Sequence, residues 1–366
     1  MINVDKIISI AKEREASDIH LLCGIQPLLR IERQLIRIEE FNELTEEDMY
    51  EIYDYFIMGK VERDEECKKY RRYDLVYVFE DIRLRVNISY ENEIPIFTLR
   101  LIKNKLPKYS ELGIPDIVRK MAYQPQGLIL VTGKTNSGKT TTLNALVDHI
   151  NENLNKKILT LENPVEFKHV SKKSIIVQKE IGKGMDSETF SDGVRNSLRE
   201  DCDIIVVGEI RDRETMDAAI ESAEAGHLVI GTVHTKTCAE TIDRCLNFYR
   251  IEEQRTVKGL LASTLKLIVS QRLMKSTQEG LVLIPEVMVV DNIVAGMIKK
   301  EKINVSEIED AIQSSAESIS LINSLATLFL EDKITLDQAK SQLEAKNIDI
   351  LNRVIMQMKV KRAGRI

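Results

Sequence analysis

The residues from Gly133 to Thr140 have the types and spacing of a phosphate-binding loop. They fit the pattern G-x-x-x-x-G-K-[ST], with an apolar run at 128–132 before the loop and helically spaced apolar residues after it. In such a loop, small residues let successive backbone amides turn towards phosphate oxygens, and the following helix adds its positive N-terminal end. We therefore predict that nucleotide is bound by Gly133, Lys134, Thr135, Asn136, Ser137, Gly138, Lys139, Thr140 and Thr141.

Two residues of this loop have side chains suited to a nucleoside triphosphate. Lys139 can reach the β- and γ-phosphates, and the hydroxyl of Thr140 can ligate Mg²⁺. Asn136 stands where a glycine is often found, and asparagine tolerates the left-handed backbone better than most residues. The alternative is a chance glycine-rich turn before a helix. The presence of both a predicted strand before the loop and a predicted helix after it favours the phosphate-binding interpretation.

Acidic residues follow two later apolar runs. Glu209 ends the run 203–209, and a carboxylate at the carboxyl end of a central parallel strand faces the crevice, where it can hold Mg²⁺ or its water ligands. Glu162 and Glu166 lie around Pro164 at the end of another strand. One of these two can orient or deprotonate the attacking water, although each alone is also compatible with an ordinary surface acid.

Two of the five histidines fall in the segment 226–235. His234 follows the apolar run 228–232 and can sense the γ-phosphate by hydrogen bonding from the far end of that strand. His227 precedes the same run and would lie at the opposite edge of the sheet. We therefore predict a structural role for His227.

The chain divides by pattern into two parts. The first 102 residues mix helical segments with short alternating strands, which is typical of an antiparallel sheet with helices on one side. A polar, proline-bearing break predicts a linker at 103–112, and from Gly127 onward apolar runs alternate with helical stretches, which indicates a mainly parallel sheet. We expect strands at 18–22, 28–36 and 281–290, a helix at 45–58, and a C-terminal helical portion at about 260–366.

Length and composition exclude several classes of protein. The 366 residues suggest two domains at roughly 100–200 residues each, and 43% hydrophobic with 30% charged residues excludes a mainly disordered chain. A net charge of −6 disfavours a general nucleic-acid binder, and no run approaches the roughly 18 apolar residues of a membrane-spanning helix. The five cysteines form no Cys-x-x-Cys pair, and the first residues lack the order of a signal peptide, so we expect the reducing cytosol.

Four segments, in this order, resemble the motifs of the secretion ATPase superfamily of type II secretion and type IV pili. Residues 133–140 are similar to its Walker A motif, 162–166 to its Asp box, 203–209 to its atypical Walker B motif with Gly-Glu, and 226–235 to its His box. The resemblance covers nearly the whole chain. It includes 15–21, which is similar to the opening of the family's PAS-like N-terminal domain.

The resemblance implies an α/β fold with a RecA-like P-loop core of mainly parallel sheet at 113–366. A smaller PAS-like α+β domain precedes this core at 1–102, and C-terminal helices follow it. The implied cofactors are ATP and Mg²⁺, with the metal held by Thr140 and Glu209 and with Glu162 near the nucleotide. The implied catalytic residues, including arginines that the N-terminal domain supplies, are Lys139, Glu166, Glu209, His234, Arg83, Arg85 and Arg100.

Within the superfamily, the chain is most similar to the pilus retraction ATPases of twitching motility. It begins directly at the PAS-like domain and lacks the tetracysteine zinc insert of the assembly enzymes. The resemblance implies a homohexamer that hydrolyses ATP and works on an inner-membrane pilus platform protein. It further implies a cytoplasmic location, peripheral at the inner face of the cell membrane. The net charge of −6 predicts no nucleic-acid partner.

Three alternatives stay open. The stretch 293–300 carries Ala295-Gly296 where the retraction enzymes have an Arg-Asn pair, which leaves pilus assembly or another secretion motor as a second interpretation. A nucleotide-binding regulatory ring of low turnover is opposed by the presence of Glu166, Glu209 and His234. A motor acting on DNA is opposed by the net charge and by an aromatic content of 5% without tryptophan.

Overall fold

The computed structural model describes residues 2–31, 34–57, 61–80, 82–102, 106–182, 185–278 and 280–363. The chain forms two compact units that divide between Lys105 and Leu106. This division lies inside the linker expected at 103–112, of which residues 103–105 are outside the described ones. Residues Tyr109–Glu111 of that linker form a short 3₁₀ helix in the second unit.

The first unit is an antiparallel sheet packed on helices. In chain order it contains α1 (Val4–Glu13), β1 (Asp18–Leu21), β2 (Leu28–Ile31), β3 (Gln34–Arg37), α2 (Glu46–Ile57), α3 (Val61–Tyr70), β4 (Arg72–Phe79), β5 (Ile82–Glu91) and β6 (Ile94–Ile102). The strand order is β3-β2-β1-β6-β5-β4, and neighbouring strands are antiparallel. Apolar side chains of the helices and of one sheet face form a single core, as the sequence pattern predicts.

Strand β5 shows why this sheet has one apolar and one polar face. Leu84, Val86 and Ile88 are fully buried, whereas Arg83 and Arg85 between them are half-buried on the other face. Successive strand residues point to opposite faces, so the alternation of apolar and polar residues fixes which face meets the helices. Each buried aliphatic side chain contributes about 1.5–3 kcal/mol to the stability of the unit.

Two elements of the first unit differ from the sequence expectation. Residues 28–36, expected as one strand, form a hairpin of β2 and β3, and residues 32 and 33 are outside the described ones. Helix α3 is absent from the expectation because its sequence carries no apolar periodicity. Within residues 64–70, Cys67 is the only buried side chain.

The second unit is a mainly parallel sheet with helices on both faces. In chain order it contains α4 (Asp116–Met121), β7 (Gly127–Gly133), α5 (Lys139–Asn153), β8 (Lys157–Glu162), β9 (Ile175–Glu180), α6 (Phe190–Ser197), β10 (Ile204–Val207), α7 (Arg213–Glu224), β11 (Leu228–Val233), α8 (Cys238–Leu246), α9 (Ile251–Thr264), β12 (Leu265–Lys275), β13 (Leu281–Val289), α10 (Asn292–Ile298), α11 (Val305–Ser314), α12 (Leu321–Leu330), α13 (Leu336–Lys340) and α14 (Ala345–Ala363). The strand order is β13-β12-β7-β11-β10-β8-β9, in which β12 and β13 are antiparallel and the other neighbours are parallel.

The central strands bring the predicted motifs to one edge of the sheet. Every residue of β7 is buried, and separate apolar cores lie on the two faces of the sheet, which explains the nearly continuous apolar runs. Because β7, β8, β10 and β11 are parallel, the loops that follow them meet at the same edge. These loops contain the four motifs identified in the sequence.

The expected helical portion from about residue 260 is wrong at its start. Helix α9 continues directly into β12, which pairs with β7 on one side and β13 on the other. No glycine or proline separates α9 from β12, so the sequence carries no signal for this boundary. Strand β13 confirms the strand expected at 281–290, and the helices after it include α12 to α14, which share an apolar core of their own.

Candidate active site

The loop between β7 and α5 has the backbone of a phosphate-binding loop. Gly133 has φ of 148°, Gly138 has φ of 87°, and Asn136 has a left-handed φ of 62°. A Cβ atom on Gly133 would lie 2.3 Å from Oγ of Ser137 and 2.6 Å from the carbonyl oxygen of Gln271. Only glycine fits at this position, because both the space and the φ angle exclude a side chain.

The amino-terminal end of α5 is open to an anion. Its N-cap residue, Gly138, supplies no side-chain cap, and the buried hydroxyl of Ser137 has no hydrogen-bond partner among the described residues. Helix amides without partners, the helix dipole and this hydroxyl together form a site for phosphate oxygens. The other predicted loop residues surround it, with Lys134, Thr135 and Asn136 exposed and Thr140 and Thr141 half-buried.

The ammonium group of Lys139 is held by the loop itself. It donates to the carbonyl oxygens of Gly133 at 2.8 Å and Lys134 at 3.0 Å. Burial lowers the pKa of Lys139, and the negative charge of Glu209 opposes that shift. An incoming phosphate therefore meets a lysine that is already positioned and only weakly hydrated.

A hydrogen-bonded series joins this lysine to the acid after β10. Nδ1 of His234 lies 3.3 Å from Nζ of Lys139, and Nε2 of the same ring lies 2.9 Å from Oε1 of Glu209. An ammonium group has only donors, so Nδ1 accepts and the ring proton on Nε2 is donated to Glu209. Burial and the charge of Lys139 lower the pKa of His234, which favours this neutral imidazole.

The Gly-Glu pair after β10 follows from close packing. A Cβ atom on Gly208 would lie 2.9 Å from the carbonyl oxygen of Leu161 on the neighbouring strand. An aspartate at 208 would therefore push β8 and β10 apart. Glu209 also forms an ion pair with Arg211, whose side chain is 72% exposed, so the carboxylate is shared between His234 and an exposed guanidinium group.

Glu162 lies in the protein interior and supports the turn that follows β8. Its carboxylate accepts from Oγ1 of Thr160 at 2.7 Å, from Nε2 of Gln178 at 3.1 Å and from the backbone amide of Glu166. Burial raises the pKa of Glu162, and these donors counteract the shift. Glu166 is half-buried on the same turn. The structure thus places the two acids in different environments, with Glu162 occupied by protein donors.

The three predicted arginines lie on the polar face of the first unit. Arg100 pairs with the buried Asp18 at 2.9 Å, and this guanidinium helps to lower the pKa of that carboxyl against the effect of burial. Arg85 lies 3.6 Å from Asp74. Nη1 of Arg83 is buried without a hydrogen-bond partner among the described residues. Their roles at the nucleotide stay predictions.

Two residues beside the loop are absent from the sequence prediction. Arg211 follows Glu209 by two positions, and Gln271 donates from Nε2 to Oγ1 of Thr142 at 2.7 Å on α5. Gln271 lies on β12, whose boundary with α9 has no turn residue, whereas the spacing of Arg211 from Glu209 was available in the sequence. His227, at the start of β11, has Nδ1 3.1 Å from the carbonyl oxygen of Ser222, in accord with the structural role predicted for it.

Comparison with known proteins identifies the family. The model described as "Type II/IV secretion system protein" matches residues 80–280. The type IV pilus retraction ATPase PilT of Pseudomonas aeruginosa is 35% identical over 313 residues, which cover 85% of this chain and 89% of that protein. The chain belongs to the type II/IV secretion system protein family. The resemblance inferred from the four motifs is confirmed, and with its phosphate loop the protein is an ATPase of this family.

Other members support the same assignment. A twitching motility protein of Neisseria gonorrhoeae is 39% identical over 237 residues, which cover 64% of this chain and 62% of that protein. A crystal structure of the pilus retraction motor PilT with bound ADP superposes with a TM-score of 0.86 at 33% identity, covering 95% of this chain and 99% of the other. The family fold therefore extends across both units.

The described residues contain neither a membrane-spanning helix nor a metal-binding cluster. None of their helices has the length and hydropathy needed to cross a membrane. They also contain no group of three or more histidine, cysteine or acidic side chains placed to hold a metal ion.

Proposed function

We propose that the protein is a hexameric mechanochemical ATPase that powers type IV pilus retraction. The observation that carries this proposal is the hydrogen-bonded series Lys139–His234–Glu209. It connects the group that binds the γ-phosphate to the acid beside the metal through one neutral imidazole. The relatives described as a retraction ATPase and a twitching motility protein support pilus retraction rather than pilus assembly.

In this proposal the loop binds the phosphates and positions the metal. Lys139 exchanges the carbonyl oxygens of Gly133 and Lys134 for oxygens of the β- and γ-phosphates. The oxygen donors of Thr140 and Glu209 suit Mg²⁺, which keeps several water ligands and takes others from substrate phosphates. Bound there, Mg²⁺ supplies charge neutralisation on the transferred phosphoryl group.

We assign water activation to Glu166. Glu162, the other acid of the turn, already accepts three hydrogen bonds from the protein, which suits a supporting role. A carboxylate at a fixed position can orient the attacking water and accept its proton, and this is worth typically 10²–10⁴ in rate. His234 then reports the loss of the γ-phosphate through its contact with Lys139.

We further propose that the first unit is PAS-like and supplies charge stabilisation to a neighbouring subunit. Arg83 has a buried guanidinium nitrogen without a hydrogen-bond partner among the described residues, and Arg85 and Arg100 each face a single described carboxylate. Such arginines contribute roughly 10³–10⁵ in rate when they contact the developing charge. Hydrolysis would shift the protein between a closed and an open state, because ATP and ADP bind the closed state with different affinity.

The partners follow from this assignment. The protein would act as a homohexamer on the inner-membrane platform protein of the pilus, and it would be cytoplasmic and peripheral at the inner face of the membrane. We expect no nucleic-acid partner, in view of the net charge of −6.

Pilus assembly or another secretion motor is the second candidate, and one observation favours it. The segment 293–300 that departs from the retraction motif forms α10 and its carboxyl-terminal turn. A Cβ atom on Gly296 would meet nothing within 4 Å among the described residues, and Ile293 is 64% exposed. The space at Gly296 does not require a glycine there, so we infer that this position concerns a surface for a partner, whereas Ala295 packs against the apolar core.

The first experiment measures ATP hydrolysis against protein concentration, with light scattering on the same samples. Turnover that appears only with the six-subunit species supports the motor. ATP binding without turnover at any size would instead support the low-turnover regulatory ring. Two variants define the site. Lys139→Ala should lose ATP binding while keeping its unfolding temperature, and Glu166→Gln should bind ATP and turn it over at less than 1% of the wild-type rate.

A further inference from the structure

The side-chain amide of Gln178, on β9, holds three points of the turn that carries Glu166. Its Nε2 donates to Oε1 of Glu162 at 3.1 Å and to the carbonyl oxygen of Phe167 at 2.7 Å. Its Oε1 accepts from the backbone amide of His169 at 2.8 Å. Because Glu162 in turn accepts from the amide of Glu166, the amide of Gln178 fixes the backbone on both sides of that residue.

The same turn is tied to the helix of the phosphate loop. Nδ2 of Asn144 donates to the carbonyl oxygen of Thr140 at 3.0 Å, so its Oδ1 is left as an acceptor. Nε2 of His169 lies 2.8 Å from that Oδ1 and must therefore carry the ring proton. Burial lowers the pKa of His169, whose side chain is only 2% exposed, in accord with a neutral ring.

These contacts form one continuous path from the metal side of the site to the base. It runs from the backbone of Thr140 through Asn144 and His169 to Gln178, and from there to both sides of Glu166. Every link is a hydrogen bond of 2.7–3.1 Å made by an uncharged side chain. Asn144, His169 and Gln178 lie outside the phosphate-binding residues predicted at 133–141, so we expect them to act through the positions that they impose on Thr140 and Glu166.

We propose that Gln178, supported by His169 and Asn144, is a positioning residue that holds Glu166 in register with Thr140. The inference rests on the proposed role of Glu166 as the base and deepens it. Effective catalysis needs reacting groups to be placed within a fraction of an ångström, and supporting hydrogen bonds supply that precision. Strand β9 is an edge strand of the sheet, and the side-chain amide of Gln178 donates to the carbonyl oxygen of Phe167 in the turn after β8.

A double-mutant cycle between Gln178 and Glu166 tests whether Gln178 acts through Glu166. Gln178→Met keeps the length of the side chain and removes its hydrogen bonds. In single-turnover assays with the full chain and Mg-ATP, we expect the rate constant to fall at least tenfold while the dissociation constant for ATP changes less than twofold. Glu166→Gln should lose more, and the double variant should be no slower than Glu166→Gln alone, since Gln178 acts through Glu166.

The outcomes separate the two proposals. A near-normal rate for Gln178→Met, or losses that multiply in the double variant, would overturn the positioning role while leaving Glu166 as the base. A near-normal rate for Glu166→Gln would overturn the base assignment and the inference with it. Gln254→Met is the matched control, because Gln254, on α9, also donates to two carbonyl oxygens, those of Leu246 and Tyr249. Its rate should stay within twofold.

A second pair keeps the test decisive if Gln178→Met does not fold. His169→Gln retains an N–H donor for Oδ1 of Asn144, whereas His169→Leu removes it. We expect the rate with glutamine to stay within about threefold of the wild type and the rate with leucine to fall at least tenfold. Equal rates for the two folded variants would contradict the path from Thr140 to Gln178.

Discussion

His234 and Glu209 lie 2.9 Å apart, from Nε2 of the ring to Oε1 of the carboxylate, and the opposite ring nitrogen faces Lys139. In the proposed function the loop amides and Lys139 bind the phosphates, whereas the imidazole links the lysine to the acid. We expect His234→Phe to lower the ATP turnover number at least tenfold while the dissociation constant for ATP changes less than threefold. Nucleotide titration and steady-state kinetics on the same preparation measure both. His227→Phe is the control, and an equally large loss there would contradict a specific role for His234.

The tight contact at Gly133 predicts the effect of a single methyl group. Gly133→Ala would place Cβ 2.3 Å from Oγ of Ser137, so we expect it to lower the free energy of unfolding by about 1–3 kcal/mol and to weaken ATP binding. Gly259→Ala is the matched control, because Gly259 lies within α9 and a Cβ there would meet nothing within 4 Å. We expect that change to raise stability by about 0.5–1 kcal/mol. Denaturant unfolding of the full chain compares them.

The buried Glu286, on β13, predicts a pH dependence of stability. Its carboxylate accepts from the backbone amide of Cys238 at 2.9 Å, and burial raises its pKa from 4.5 to about 7. A raised pKa in the folded state means that the folded chain binds the proton more tightly than the unfolded chain. This contribution to stability is therefore present below pH 4.5 and is lost as the pH rises through about 7.

Glu286→Gln should remove that dependence. At pH 8 the variant should be more stable than the wild type, by up to about 3 kcal/mol, and the difference should shrink or reverse at pH 5. Unfolding curves at both pH values measure it. Glu317→Gln, at an exposed site, serves as the control. A difference that is the same at both pH values would show that Glu286 stays ionised in the folded chain.

The arginines of the first unit predict complementation between subunits. An Arg83→Ala, Arg85→Ala double variant should hydrolyse ATP at least 10³-fold more slowly, and Lys139→Ala should be inactive because it does not bind ATP. If the arginines act on a neighbouring subunit, mixing the two inactive proteins should restore measurable turnover. Each mixed ring then contains sites with an intact loop beside intact arginines. Activity in the mixture no greater than in the separate proteins would contradict the proposal that a neighbouring subunit supplies the arginines.

The sequence predicts those parts of the site in which local geometry demands particular residues. The phosphate loop is of this kind, because Gly133 and Gly138 have backbone angles that glycine adopts readily. The order of the parallel strands then brings Glu209 and His234 beside Lys139. Helix–strand alternation was sufficient to predict a mainly parallel sheet in this part of the chain.

The sequence does not reveal contacts between residues that are distant along the chain and chemically ordinary. Gln178 lies on the edge strand β9 and His169 in the loop before it, and neither belongs to a motif. Their importance depends on hydrogen bonds to residues distant in sequence, from Gln178 to Glu162 and from His169 to Asn144. Strand β12 is missed because α9 runs into it without a turn residue, so Gln271 is missed with it. The sequence predicts Glu162 near the nucleotide, but it does not reveal that this side chain is buried and hydrogen-bonded to Thr160 and Gln178.

Strand β12 has a consequence for the C-terminal helices. Gln271 donates to Thr142 on the phosphate-loop helix, and its neighbour Arg272 donates from Nη1 to the carbonyl oxygen of Gln342, just after α13. Adjacent strand residues point to opposite faces, so one peptide unit separates the nucleotide side from the C-terminal side. No flexible segment lies between them to absorb a displacement. The alternation of faces along β12 therefore connects the C-terminal helices to the site. Inserting one residue between Gln271 and Arg272 would turn one of these side chains to the opposite face and break its contact.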